Sequence, residues 1–272
     1  MRIIKWILFG SGIGLGGILL LAAVLYLTAP ARYNFLVIGS DQRGEERARS
    51  DVLMLISVPK TGKKPITVVT IPRDSLIEQP EYGMQKITHF YAFGERTDSE
   101  LFGNTALTTS VVEELLDVHV DGTFEVTFDG FKNIVDKLGG VDISSGHLNG
   151  EEALAVVRDR YREGGDFART DDQREILLSL VGKVKSYTDF KNIYAYIQLQ
   201  SLSRIRWSKF AVGHFGYGFV LGHKFHFSTA DIHEEVLAGA GDYVYTPEFG
   251  KELYYWVLDQ AALEKLKEDY LE

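Results

Sequence analysis

Apolar and polar positions divide the chain into one long apolar segment followed by many short elements. Residues 6–29 contain no charged side chain, and a helix of that length crosses the hydrocarbon core of a membrane. Short apolar runs predict strands at 34–39, 52–58, 65–71, 122–128 and 141–143. Longer segments with helical spacing predict helices at 106–116, 129–138, 150–157 and 170–187. This alternation predicts an α/β (α+β) fold with a mixed central β-sheet flanked by helices.

Charges around the apolar segment predict its orientation. Arg2 and Lys5 precede it, and positive residues favour the cytoplasmic side of a membrane. We therefore expect a cytoplasmic N-terminus at 1–5, one transmembrane helix at 6–29, and an extracellular C-terminal domain at the plasma membrane. Residues 29–31, Ala-Pro-Ala, have the form of a signal-peptidase site, but the apolar run is longer than a usual signal sequence. That length favours an uncleaved single-pass anchor.

The rest of the chain is long enough for one main domain. With 272 residues and 45% hydrophobic content, it can bury one sizeable core or one core with an appendage. The regular alternation of elements predicts the domain core at 33–188. Residues 189–272 are expected to form a C-terminal extension packed on that core. Within the extension, 207–227 has a strand-turn-strand pattern and 248–271 a helical one.

Composition excludes several classes of function. The absence of cysteine removes thiol catalysis, disulfides and cysteine-ligated zinc. A net charge of −9 argues against a general nucleic-acid binder, because such domains usually present a basic surface. The seven histidines have no zinc-ligand spacing, so we predict no histidine metal cluster.

A local excess of arginine contrasts with the negative net charge. Four arginines lie within 157–173, on either side of a Gly-Gly pair: Arg158, Arg160, Arg162 and Arg169. If 156–162 is extended, the first three project from one face, because side chains on a strand repeat every two residues. Guanidinium groups bind phosphate through paired hydrogen bonds, so this pattern suggests a phosphorylated ligand. The alternative is a solvated surface with Asp159, Glu163 and Asp166 as ion-pair partners.

Two aspartates flank the first predicted hairpin. Asp41 follows the strand at 34–39, and Asp51 precedes the strand at 52–58. A hairpin of this length brings the end of one strand beside the start of the next, so the two carboxylates can share a metal. Mg²⁺ commonly takes one or two protein carboxylates and fills its remaining positions with water and phosphate oxygens. Alternatively, Asp41 caps a turn and Asp51 pairs with Arg49 or Arg43.

Ordered motifs between about Asn34 and Tyr187 carry a family resemblance. They are Gly39 to Arg43 (GSDQR), Arg49 to Asp51 (RSD), Ile71 to Asp74 (IPRD), Lys86 to Thr88 (KIT), 131–140 (FKNIVDKLGG), Val157 to Arg160 (VRDR), Gly165 to Arg169 (GDFAR) and Gln173. In this order they resemble the LytR-CpsA-Psr family of membrane-anchored enzymes. Members of that family transfer anionic glycopolymers from a polyprenyl-pyrophosphate carrier to peptidoglycan.

The resemblance implies a magnesium-dependent phosphotransferase that attaches a teichoic acid, capsule or secondary wall polysaccharide to peptidoglycan. Asp41 and Asp51 would hold Mg²⁺ (or Mn²⁺), and a hydrophobic tunnel would take the lipid tail. The residues it implies as catalytic are Arg73, Asp74, Arg158, Arg160 and Arg169. Those it implies as substrate-binding are Arg43, Lys86, Arg162, Asp166 and Gln173. The general base stays open between Asp74 and Asp166. Charge neutralisation and positioning, which such a site supplies, are the main source of catalysis in phosphoryl transfer.

The chain departs from the family pattern in three places. Ala168 stands where glycine is usual, Asp172 stands where arginine is frequent, and the tail after Tyr187 matches no motif. With Thr170 as N-cap and Gln173 as its capping-box partner, Asp172 would lie at a helix start and weaken pyrophosphate binding. Two other functions stay open: a catalytically weak lipid-pyrophosphate-binding scaffold of the same fold, and a polyprenyl-pyrophosphate hydrolase.

Overall fold

The computed structural model describes most of the chain after the N-terminal segment. The described residues are 17, 20, 23–24, 26–41, 49–60, 64–93, 103–158, 165–183, 192, 194–197, 202–207 and 232–272. Within 165–183 the backbone is described throughout, and side chains are described at 172, 174–180 and 182–183.

A six-stranded mixed sheet forms the centre of the fold, in the order β10-β3-β2-β1-β6-β9. Its strands are β1 (Arg32–Ser40), β2 (Ser50–Pro59), β3 (Ile66–Thr70), β6 (Gly122–Thr127), β9 (Ser203–Trp207) and β10 (Ile232–Val236). The pairs β1–β6 and β3–β10 are parallel, whereas β1–β2, β2–β3 and β6–β9 are antiparallel. The predicted mixed sheet is confirmed.

Smaller elements surround this sheet. Two-stranded ribbons are formed by β4 (Leu76–Gln79) with β5 (Gly83–Lys86), β7 (Val141–Ile143) with β8 (Gly146–Leu148), and β11 (Gly239–Thr246) with β12 (Lys251–Leu258). The helices are α1 (Ile87–Phe90), α2 (Thr105–Leu116), α3 (Phe128–Lys137), α4 (Gly150–Arg158), α5 (Gly165–Lys183) and α6 (Gln260–Leu266), after which Lys267–Leu271 forms a π-helix.

Both faces of the central strands are apolar, because helices cover each of them. On one face, Leu36 and Leu55 belong to a buried cluster that includes side chains of α1, α2 and α6. On the other face, Val37 and Met54 line an apolar cavity together with side chains of α3, α4 and α5. Side chains alternate between the two faces along β1 and β2. One face of these strands therefore packs into the buried cluster, and the other borders the apolar cavity.

Three predictions about local structure are wrong. Residues 156–158 are the last turn of α4, so Arg158 is not on an extended strand. Helix α5 begins at Gly165, which places Thr170 inside the helix and removes the predicted capping box. Residues 251–258, predicted to be helical, form β12, and only the segment from Gln260 onward is helical.

The predicted transmembrane helix at 6–29 lies largely outside the described residues. In the part of the chain that is described, no helix is both long and apolar enough to cross a membrane. The predicted strand-turn-strand at 207–227 also lies outside the described residues, apart from residue 207 in β9.

The segment after residue 189 contributes both edges of the central sheet. Strand β9 pairs with β6 at one edge, and β10 pairs with β3 at the other. The sequence pattern did not identify either strand, because Ile-His-Glu-Glu-Val in β10 and Ser-Arg-Ile-Arg-Trp in β9 are largely polar. A strand at the edge of a sheet pairs with another strand on one side only and meets solvent on the other, so it tolerates polar residues. The division of the chain at residue 188 stays a prediction.

Candidate functional site

The candidate site lies where several parallel strands end. Strands β1, β3 and β6 run in the same direction and finish at one edge of the sheet, while antiparallel β2 begins there. Asp41 follows β1, Arg73 and Asp74 follow β3, and Asp51 is the second residue of β2. Sheet topology therefore brings together groups that are far apart in sequence, at the edge where α/β proteins usually bind ligands.

Four charged side chains form a continuous row at this edge. Arg73 Nη1 donates to Asp51 Oδ1 at 2.9 Å, and Arg73 Nε lies 3.6 Å from Asp74 Oδ2. Lys86 Nζ donates to Asp74 Oδ1 at 2.6 Å. The side chains are 17–24% exposed, so the row is partly shielded while remaining open to a ligand. Alternation of positive and negative groups holds each side chain in place.

Asp41 closes the connection between β1 and β2. Its Oδ1 accepts from the backbone amide of Arg49 at 2.6 Å, and its own amide donates to the Arg49 carbonyl at 3.1 Å. This is the turn-capping role that the sequence left open for Asp41. That alternative also expected Asp51 to pair with Arg49 or Arg43. Asp51 pairs with Arg73, and Arg43 lies outside the described residues.

Oxygen donors around this connection suit a hard cation. Asp41 and Asp51 each have one carboxylate oxygen without a hydrogen-bond partner among the described residues. Between them, Ser50 is fully buried, and within the described residues its Oγ has no hydrogen-bond partner. The described part of the chain contains no group of three or more acidic or histidine side chains placed to hold a metal. The residues therefore fit Mg²⁺ or Mn²⁺ as a partial ligand set, completed by substrate and water oxygens.

Gly39 explains how the two strands approach so closely at this point. A Cβ atom at Gly39 would lie only 2.9 Å from Cβ of Val52, its partner on β2. Real side chains do not tolerate that distance, so glycine is needed here for the close pairing of strands. The same two residues line the apolar cavity, and in the sequence they lie two residues before Asp41 and directly after Asp51.

That apolar cavity is the second part of the site. It has a volume of about 90 Å³ and lies between the sheet and helices α3, α4 and α5. Its lining is formed by Val37, Gly39, Val52, Met54, Phe124, Val126, Thr127, Phe128, Phe131, Leu154, Val157, Ile176, Leu177 and Leu180. Almost all of these side chains are hydrocarbon, so the cavity suits an aliphatic chain. The resemblance implied such a space, but sequence spacing did not identify these residues as its lining.

Arg158 provides a positive charge at the border of the cavity. It ends α4 next to Val157, and its guanidinium carbon lies 5.1 Å from the centroid of the Phe128 ring, a cation–π distance. Thr127 caps α3 by accepting from the Gly130 amide at 3.2 Å, which fixes Phe128 at the start of that helix. An exposed guanidinium group beside an apolar wall is suited to an anionic head group with a lipid tail.

His89 lies beside the charged row, and sequence reasoning did not select it. Its Nδ1 is 3.0 Å from Gln85 Oε1, a carbonyl oxygen, so a neutral ring protonated at Nδ1 satisfies this contact. Burial lowers the pKa of His89, and the positive charges of Arg49 and Lys86 lower it further, against a smaller raising effect of Asp74. The signal that could have identified His89 is its place directly after the Lys86 to Thr88 motif.

The side chains of six other predicted site residues lie outside the described part of the protein. Arg43, Arg160 and Arg162 lie outside the described residues. Asp166, Arg169 and Gln173 lie in α5, where only their backbone is described. The structure therefore brings together five of the predicted site residues at one edge of the central sheet: Asp41, Asp51, Arg73, Asp74 and Lys86. It places Arg158 at the apolar cavity.

Asp172 has a different environment from the one predicted. It lies within α5 instead of at its start, its residue is only 6% exposed, and it takes part in a polar interaction. Arg174, two residues later, forms an ion pair with Glu234 of β10. The expected helix-terminus position of Asp172 is therefore wrong. Its expected weakening of pyrophosphate binding stays a prediction without that structural basis.

Fold and site together define an α/β protein that places a charged cluster beside an apolar cavity, an arrangement suited to an amphiphile with an anionic head. The LytR_cpsA_psr family model matches residues 27–146 and 144–270. The chain belongs to the LytR_cpsA_psr family.

A curated relative supports this family membership. The chain is 34% identical over 186 residues to the Polyisoprenyl-teichoic acid--peptidoglycan teichoic acid transferase TagU of Bacillus cereus (strain AH820), covering 61% of this chain and 58% of that protein. It thus spans little more than half the length of this curated relative.

Two solved structures are similar over most of the chain. The structure of TagT bound to LIIa-WTA matches with a TM-score of 0.65 at 27% identity, covering 88% of this chain and 89% of that one. Bacillus subtilis TagV matches with a TM-score of 0.64 at 25% identity, covering 87% and 94% respectively.

Proposed function

We propose that this protein transfers an anionic glycopolymer, with teichoic acid as the first candidate, from a polyprenyl-pyrophosphate carrier to peptidoglycan. The observation that carries the proposal is the apolar cavity, whose lining ring Phe128 contacts Arg158 and whose lining residue Val52 directly follows Asp51. Such a site separates a lipid tail from a pyrophosphate head. The name of the Bacillus cereus relative, a teichoic acid transferase, and the bound LIIa-WTA of TagT support the same substrate class.

In the proposed reaction, a peptidoglycan hydroxyl oxygen attacks the phosphorus atom that carries the polymer. A new P–O bond forms, the P–O bond to the bridging oxygen breaks with its electron pair, and polyprenyl phosphate leaves. Arg73 and Arg158 stabilise the negative charge that shifts during this transfer. The hydroxyl proton passes to a carboxylate, for which we favour Asp74, because it lies in the charged row between Arg73 and Lys86. Asp166 is the other candidate for this role.

We propose Asp41 and Asp51 as the protein ligands of Mg²⁺ or Mn²⁺. When bound, the cation supplies charge neutralisation at the pyrophosphate oxygens. The two aspartates hold their carboxylates at the strand edge through Arg49 and Arg73, which limits the rearrangement needed on binding. In this arrangement Arg73 would contact both Asp51, a proposed metal ligand, and the substrate.

We also propose that residues 6–29 anchor the protein in the plasma membrane with the C-terminal domain outside. The chain has no cysteine, so a single introduced thiol can be labelled without background. On intact cells an impermeant maleimide should label Lys251→Cys, which lies on β12, and should label Lys5→Cys only after lysis. The reverse pattern contradicts the proposed orientation.

The test of the activity uses the full chain in detergent micelles, a polyprenyl-pyrophosphate-linked polymer and purified peptidoglycan. We expect polymer covalently attached to peptidoglycan, and a large loss of transfer in Arg158→Leu. Lys265→Ala, on the exposed side of α6, serves as the control and should retain transfer. Free polymer phosphate without attachment identifies a hydrolase, and binding without turnover identifies a scaffold; either result overturns the proposed transfer.

A further inference from the structure

The ribbon formed by β11 and β12 has an exposed aromatic face. Tyr243 and Tyr254 lie directly opposite each other in its register, and Tyr245 lies two residues along on the same face. These three residues, here called the tyrosine face, are 67%, 41% and 60% exposed in that order. The rings of Tyr243 and Tyr254 meet edge to face, with centroids 5.8 Å apart. Three exposed rings on one short ribbon form a continuous surface, unlike the isolated apolar residues common on protein surfaces.

The opposite face of the ribbon fixes it to the domain. Tyr255 is only 1% exposed, and its hydroxyl lies 3.1 Å from that of Thr246, which is also buried. Gly241 lies beneath the Tyr254 ring, and a Cβ atom there would be 2.5 Å from the Tyr254 hydroxyl. The glycine lets this ring lie close to the backbone. The tyrosine face is therefore held in position by the packing of the ribbon and is not a loose surface segment.

The ribbon is directly attached to the candidate site. The Trp256 amide donates to the Asp74 carbonyl at 2.9 Å, and Trp256 forms an isolated bridge with Ser75. Lys86 Nζ lies 5.7 Å from the centroid of the Tyr254 ring while it donates to the Asp74 carboxylate. One end of the tyrosine face thus borders the Lys86–Asp74 ion pair.

Charge and chemistry indicate what such a surface binds. Residues 239–258 carry Asp242, Glu248 and Glu252 but only one cation, Lys251. By register Glu252 lies on the tyrosine face, opposite Tyr245, and Lys251 lies on the other face. The cation that borders the tyrosine face, Lys86, is paired with Asp74, so this face disfavours an anionic polymer or an anionic lipid surface. Tyrosine rings offer flat apolar faces with a polar hydroxyl, which suits the alternating C–H and O–H groups of uncharged sugar rings. Tyr243 and Tyr245 are spaced by about 7 Å along the strand, which leaves room for more than one ring.

We propose that the tyrosine face binds the acceptor glycan, a chain of uncharged hexopyranose rings, and directs one of its hydroxyl groups toward Asp74. The inference rests on the proposed function, because that function requires a second substrate at Asp74. It adds the residues that hold the acceptor, which lie apart from the cavity and from the arginines assigned to the donor.

The experiment compares the full chain in detergent micelles with the double variant Tyr243→Ser/Tyr245→Ser. Phe249→Ser is the matched control, because Phe249 is an exposed aromatic residue at the ribbon turn and not on the tyrosine face. Binding of chitotetraose, an uncharged N-acetylglucosamine tetramer, is measured by NMR titration. Transfer rates are measured against peptidoglycan concentration, and thermal melts confirm that each variant is folded.

We expect the double variant to weaken chitotetraose binding about tenfold and to raise the acceptor KM by a similar factor, with donor KM unchanged. Phe249→Ser should match the unmodified chain in both measurements.

Equal chitotetraose binding and acceptor KM in all three proteins overturn the inference while leaving transfer itself intact. Absence of transfer in the unmodified chain counts against the proposed function, and the chitotetraose titration still decides whether the tyrosine face binds sugar. If the double variant loses binding to anionic vesicles but keeps binding to chitotetraose, the tyrosine face is a membrane-binding surface, which also overturns the inference.

Discussion

Arg73 joins the end of β3 to the start of β2 through its 2.9 Å hydrogen bond to Asp51. The two residues are 22 positions apart in sequence, and the antiparallel register of β2 and β3 brings them together. Because Asp51 is one of the two proposed metal ligands, this contact would link Arg73, a proposed phosphate-binding residue, with the cation. Changes at Asp51 should therefore affect both.

Asp51→Asn should lower kcat/KM by about 10²-fold or more, because it removes a ligand charge and weakens the Arg73 contact. Asp41→Asn should have a similar effect on activity. The side-chain oxygen of the introduced asparagine can still accept from the Arg49 backbone amide and close the turn. Both should melt close to the unmodified protein. Glu264→Gln, an exposed carboxylate on α6, provides the control. Unchanged Mg²⁺-dependent rates in both aspartate variants contradict a shared site.

Asp172→Arg should destabilise the fold by about 3 kcal/mol or more, because a larger cation would replace a buried, interacting carboxylate. At a helix start, the same substitution would instead cost little stability and strengthen pyrophosphate binding. Urea denaturation measures the free energy of unfolding. Asp172→Asn, which keeps the volume but removes the charge, should cost less. A stable Asp172→Arg variant with stronger binding of a pyrophosphate analogue would restore the helix-terminus interpretation.

Stability should fall below neutral pH in part because of His89. Its pKa is lowered in the folded state, so the unfolded chain binds a proton first as the pH falls below about 6.5. The neutral ring's contribution is therefore complete above that pH and is lost as the pH falls toward the folded-state pKa. His89→Gln should flatten the dependence of the unfolding free energy on pH between about 7 and 5. NMR titration of the ring measures the shift directly. Identical slopes in the two proteins would exclude this contribution.

Arg204→Met should cost about 3–5 kcal/mol of stability, because it leaves the fully buried Glu125 carboxylate without its cation. Arg204 donates to both carboxylate oxygens of Glu125 at 2.9 Å and so ties the edge strand β9 to β6. Burial, together with the negative charge of Glu125, raises the pKa of Tyr91, whose hydroxyl therefore stays a donor to this carboxylate. Adding Glu125→Gln to Arg204→Met should recover part of the loss. A single-variant cost below about 1 kcal/mol would show that the pair is replaceable.

The sequence by itself determined the elements that form the centre of the sheet. The apolar runs at 34–39, 52–58 and 65–71 predicted β1, β2 and β3, because strands buried on both faces are continuous in hydrophobic residues. The motifs around Asp41, Asp51, Arg73 and Lys86 also identified most of the charged row. Asp41, Asp51 and Arg73 lie at one edge of the central sheet because each follows or begins one of its strands, whereas Lys86 ends β5 and joins them through its ion pair with Asp74.

Only the tertiary structure decided which of these groups contact each other and what surrounds them. The segment 251–258 has helical spacing, yet it forms a strand because pairing with β11 and burial of Tyr255 outweigh local preference. Strand β10 is too polar to be recognised alone and is held by its backbone pairing with β3. The Asp51–Arg73 pair, the cavity lining and the tyrosine face depend on register and helix packing. These are set by contacts between residues distant in sequence, which local patterns of hydrophobicity do not encode.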